Sequence, residues 1–108
     1  MIRAIAKVTG QSWTDIYWEL TDLGFSLGDW GNSNYVWREF LLRQGFKQYA
    51  LPDLCPACYT VAKFAADHAN GTFVLATGSH VVAVIDGEYY DSWNSGDEVP
   101  IYYFRRSK

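Results

Sequence analysis

Two sets of residues in this 108-residue chain have types and spacing that could do chemistry. The first is His80 and Asp91, in the run His80-Val81-Val82-Ala83-Val84-Ile85-Asp86-Gly87-Glu88-Tyr89-Tyr90-Asp91-Ser92-Trp93. Asp86-Gly87 is a two-residue hairpin signal, because both residues tolerate the positive backbone angles of a type I′ turn. With those residues as the loop, Ile85 faces Glu88, Val84 faces Tyr89 and Val82 faces Asp91, so His80 and Asp91 share one face as diagonal neighbours. Diagonal pairs lie roughly 7–8 Å apart at the backbone, within reach of a carboxylate bonding an imidazole N–H and fixing its tautomer. That is the base and orienter half of a nucleophilic triad, without the nucleophile. Asn94 is a second orienter candidate, although this register turns its side chain to the opposite face. Ser79 cannot complete a serine triad with His80, because adjacent strand residues point to opposite faces.

The second set is Cys55-Pro56-Ala57-Cys58. Two ordinary loop thiols are one reading of it, and three chemistries compete with that. Cys55 or Cys58 could serve as a substitute nucleophile near a helix start. Cys55, Cys58, His68 and His80 are the ligand types of a tetrahedral zinc, although the spacing Cys-x2-Cys-x9-His-x11-His matches no common finger. A redox dithiol is the third, with Val99-Pro100-Ile101 as the facing proline segment, but the helical first 45 residues and the β period at 80–93 fit that fold badly.

The elements that must position these residues follow from periodicity. Ile2 to Val8 is helix-compatible and stopped by Gly10. Ser12-Trp13-Thr14-Asp15 reads as a capping box that opens a second helix, with Ile16, Leu20 and Leu23 on one face and Gly24 as its end. Phe25 to Asn32 reads as a loop. Asn32 or Ser33 can cap a third helix carrying Val36, Phe40 and Leu41 and ending at Gly45. Phe46 to Ala50 is a short strand and Leu51 to Cys58 irregular. Thr60 caps a fourth helix with Val61, Phe64 and Ala65, which Asn70-Gly71 ends. Strands are expected at 72–77, 80–86, 88–93 and 99–104. Helices about 1–70 followed by strands about 71–104 give a single α+β domain whose antiparallel sheet packs on N-terminal helices.

Composition excludes several classes of function. An apolar fraction of 49% rules out disorder. A net charge of −3 disfavours electrostatic nucleic-acid binding, and Arg105-Arg106-Ser107-Lys108 is too small a patch to change that. No apolar run approaches the roughly 20 residues of a membrane span, and the start lacks a signal-peptide pattern. The chain therefore reads as cytoplasmic, where cysteines are expected as reduced thiols, a metal half-site or a redox pair. Gly24, Gly28 and Gly31 do not form a phosphate loop. Tyr17, Trp18, Trp30, Trp37, Tyr102 and Tyr103 read as core or rim, although a domain this small must leave some aromatics lining a groove or a contact surface.

The stretch from Gly71 to Phe104, with Gly-Thr-Phe-Val-Leu-Ala-Thr-Gly-Ser-His-Val-Val-Ala-Val-Ile-Asp-Gly-Glu-Tyr-Tyr-Asp-Ser-Trp, resembles the C-terminal half of small papain-like cysteine peptidases. The likeness is greatest to the bacteriocin-leader-processing type and to compact relatives of Gram-positive bacteria and their phages. Arg3-Ala4-Ile5-Ala6, followed by Thr9-Gly10-Gln11-Ser12-Trp13, resembles that family's nucleophile helix. The resemblance implies a papain-like fold, His80 as general base, Asp91 as orienter, a peptide or protein as substrate or target, and no cofactor. It also implies a nucleophilic Cys one or two residues before Ile2, where this sequence has Met1. Either translation starts just downstream of that Cys, or the chain is a nucleophile-less descendant, a phage- or mobile-element-encoded protein that keeps the fold to bind and inhibit a target.

Overall fold

The helical period of the first half and the β period of the second are both realised in a computed structural model of the chain, which describes residues 1–51, 58–78, 80–91 and 94–106. The helices begin and end where local chemistry satisfies their free backbone groups. Helix α1 (Ile2–Thr9) stops at Gly10, whose φ of 73° lets its N–H reach back to the Ala6 carbonyl. Helix α2 (Trp13–Leu27) opens with the Ser12 hydroxyl accepting the Asp15 N–H at 3.1 Å. The Ser33 hydroxyl caps α3 (Asn34–Arg43) through the Val36 N–H, and the Thr60 hydroxyl caps α4 (Val61–Asp67) through the Lys63 N–H.

Helix α2 runs past its expected end. Gly24 lies inside it, and the stop is Gly28, with φ of 72°. Gly24 serves contact rather than termination. A Cβ there would lie 2.6 Å from the Asp29 carbonyl oxygen and 3.0 Å from the Gly31 nitrogen, so only glycine lets the 29–31 backbone fold back onto the helix.

The strands are β1 (Phe46–Ala50), β2 (Thr72–Ala76), β3 (Val81–Ile85), β4 (Glu88–Tyr90) and β5 (Tyr102–Arg106). They form one sheet in the order β1-β5-β2-β3-β4, with every neighbouring pair antiparallel. Strand β5 starts later than the expected 99, because Pro100 has no N–H to give a ladder. Pairing begins at Ile101, whose N–H goes to Ala76 and whose carbonyl accepts from Leu51.

Alternation along the central strands sorts the core into two layers. Val74, Ala76, Val81 and Ala83 pack with Ile5, Ile16, Val36 and Leu41, whereas Phe73, Leu75, Val82 and Val84 pack with Val61 and Phe64. Helices α1 to α3 therefore cover one face of the sheet and α4 covers the other. The single helical layer expected from sequence is corrected to two, and burial on both faces explains why β2 and β3 read as unbroken apolar runs. Among the described residues, no helix is long and apolar enough to cross a membrane.

Candidate active site

The Asp86-Gly87 turn forms as expected, with φ angles of 49° and 85°. It sets the register Ile85 with Glu88, Val84 with Tyr89 and Ala83 with Tyr90. Asp86 also locks the hairpin to the preceding chain, its carboxylate accepting the Gly71 N–H at 3.0 Å. At the far end of this hairpin, His80 stands just before β3 and Asp91 just after β4. The Thr77 hydroxyl accepts the His80 N–H at 3.1 Å, and the Thr77 N–H goes to the His80 carbonyl at 2.9 Å, so the imidazole projects from a pinned backbone.

The expected pair is in contact: His80 Nε2 lies 2.6 Å from Asp91 Oδ2. Both side chains are nearly buried, at 12% and 8% exposure, so water competes little for this bond. Asp91 thus engages the Nε2 edge of the ring, and Nδ1 lies on the opposite edge.

Glu98, which the sequence did not single out, reaches that nitrogen. Its Oε1 lies 3.2 Å from His80 Nδ1, with the Thr77 hydroxyl at 3.3 Å. The segment after Asn94 returns past the start of α4, where the Glu98 carbonyl accepts the Val61 N–H at 2.8 Å and the Gly96 carbonyl accepts the Ala62 N–H at 3.0 Å. These are first-turn N–H groups with no partner inside their own helix. Satisfying them is what carries Glu98 back to the histidine. Nothing periodic marks such a return loop, so no spacing rule could have found it.

His80, Asp91 and Tyr90 line a cleft of about 590 Å³ together with Met1 and Arg3 of the α1 start and with Trp13. The N-terminal end of α1, the positive end of its dipole, opens onto the same space. Burial holds the Met1 α-ammonium below its usual pKa, and the Asp91 carboxylate opposes that shift, as expected for groups that share one cleft.

The other sequence candidates lie elsewhere. The Asn94 carbonyl oxygen accepts from the Tyr89 hydroxyl at 2.7 Å and from the Gly96 N–H at 3.1 Å, so it shapes the return loop. His68 Nδ1 bonds the Phe64 carbonyl at 2.7 Å and its ring stacks on Phe64, in the α4 layer. Cys58 is disulfide-bonded, which corrects the expectation of reduced thiols or a metal half-site and does not contradict the redox pair that was the third expectation. In that form its sulfur is not a thiolate for attack or for zinc. Cys55, Ser79 and Trp93 lie outside the described residues. Among the described residues, no group of three or more His, Cys, Asp or Glu side chains could hold a metal ion. No family model, curated protein or solved structure matches this chain.

Proposed function

We propose that the chain carries the scaffold of a small papain-like cysteine peptidase, built for thiol-dependent cleavage or transfer of a peptide or isopeptide acyl group. The observation that carries this reading is the meeting of three things in one place: the start of α1, the 2.6 Å His80–Asp91 contact and the cleft of about 590 Å³ that both line. A thiol in the position of Met1 would stand at the positive end of a helix dipole beside an oriented imidazole, the two features that favour a thiolate.

In the proposed reaction the thiol proton passes to His80 Nδ1 while Asp91 holds Nε2–H. The sulfur bonds the scissile carbonyl carbon, and the carbonyl π pair moves to oxygen. Collapse of that adduct expels the amine, which takes the proton back from His80. Water or a second amine then releases the acyl group from the thioester.

Two observations favour a second reading, a binding protein on the same scaffold. Met1 offers a thioether rather than a thiol, and Glu98 already covers Nδ1. An in-frame Cys encoded directly upstream of Met1 separates the two readings. The scaffold itself is tested by replacing Met1 with Cys in a chain extended upstream by a short segment, and timing iodoacetamide alkylation at neutral pH. The expected result is alkylation of this Cys at least about tenfold faster than of a free thiol of ordinary pKa, with His80→Ala abolishing the advantage. A rate equal to that of free cysteine, unmoved by His80→Ala, overturns the proposal.

A further inference from the structure

The cleft has two arms, and they differ in chemistry. On one side it shares Ile2 and Asn32 with a depression of about 430 Å³ lined by Tyr17, Leu20 and Trp30. Trp30 is 80% exposed and Tyr17 41%, so this arm offers bare aromatic surface. On the other side it shares Arg3, Lys7 and Trp13 with a depression that runs past Gly10 along α1. Trp13 of the basic arm and Tyr17 of the aromatic arm stack with centroids 5.4 Å apart.

The basic arm runs against the charge of the molecule. The chain carries a net charge of −3, yet the cations at this cleft, Arg3 and Lys7, make no ion pair among the described residues. Lys7 rests over the Tyr90 ring at 4.4 Å, and the nearby Glu88 carboxylate is engaged by the Tyr90 hydroxyl at 3.0 Å. The cleft's own carboxylate, Asp91, is held by His80. Two cations one helical turn apart, with their neighbouring anions already occupied, present a positive strip that a ligand carboxylate would complement.

Resting on the reading of this cleft as a peptide site, we propose that its ligand is an extended peptide segment with an acidic side chain along Arg3 and Lys7 and a bulky apolar side chain against Tyr17 and Trp30. His80 and Asp91 then lie between the two anchors. The net negative charge of the protein disfavours a long polyanion in the same groove, whereas one or two carboxylates fit the strip.

The test measures binding, not turnover, so it does not depend on a nucleophile. Three fluorescein-labelled, end-blocked heptapeptides share a leucine pair at one end and differ at the other, which carries Glu-Asp, Gln-Asn or Lys-Lys. Fluorescence anisotropy with the full chain should rank Glu-Asp tightest, by about tenfold over Gln-Asn at low salt, with the gap closing as salt is raised. The R3E/K7E double variant should reverse the order in favour of Lys-Lys, and Trp30→Ala should weaken all three alike. Both sites are exposed, so these variants should fold, and far-UV circular dichroism checks that they do. Equal affinities for the three peptides, including no measurable binding of any, overturn the inference, as does an R3E/K7E variant with the original ranking. If the Met1→Cys thiol proves reactive while the peptides show no charge preference, this inference alone falls. A charge preference with an unreactive thiol leaves a binding cleft and removes the peptidase scaffold.

Discussion

His80 meets a carboxylate at each ring nitrogen, and the two contacts carry different weight. Asp91 lies at 2.6 Å and is almost buried, whereas Glu98 lies at 3.2 Å with its side chain 32% exposed. A shielded, charge-assisted bond is worth about 1.5–3 kcal/mol, and a solvated pair about 1 kcal/mol or less. A double-mutant cycle of His80→Ala and Asp91→Ala in urea unfolding should therefore give a coupling of about 2 kcal/mol. The same cycle with Glu98→Ala should stay below about 1 kcal/mol. A larger coupling to Glu98 than to Asp91 would mean that the return loop, and not the hairpin, orients the imidazole. The hairpin contact was legible in the sequence because turn chemistry and the two-residue period of a strand suffice to derive it. The Glu98 contact was not, because it depends on where a loop lands after crossing another helix.

At the scale of elements, helix starts were readable because a cap is a local event. Ser12, Ser33 and Thr60 each accept an N–H three residues on, which needs no tertiary context. Helix ends were less readable, since a glycine can either stop a helix or admit a neighbour, and Gly24 does the second. The two roles give opposite expectations for Gly24→Ala. On a free helix surface that change gains up to about 1 kcal/mol of propensity. Here the new methyl would meet backbone atoms that cannot swing aside, a cost of about 1–3 kcal/mol. We expect the clash to win, with a net loss of about 1–2 kcal/mol in urea unfolding. A stabilised variant would show that the 29–31 segment does not press on the helix. The start of β5 belongs to the same lesson, since Pro100 removes a donor that the apolar run around it conceals.

At the scale of the whole molecule, the class of mixed helices and antiparallel sheet was legible, and the sheet order with its two helical layers was not. Strand β1 precedes α4 in the chain yet pairs with the last strand, and α4 crosses to the face opposite the first three helices. Such choices follow from which faces are left uncovered once the chain has folded. The return loop joins these layers: Glu98 touches the histidine with its side chain and the first turn of α4 with its carbonyl. A peptide that enters the cleft and displaces the Glu98 carboxylate from Nδ1 should loosen the same residue's hold on α4. Amide hydrogen exchange at Val61 should then speed up when the acidic peptide binds, while exchange in β2 and β3 stays unchanged. Unaltered exchange at that amide would mean that the carboxylate moves without its backbone. With the acceleration, occupancy of the cleft could be followed from the opposite face without labelling the cleft at all.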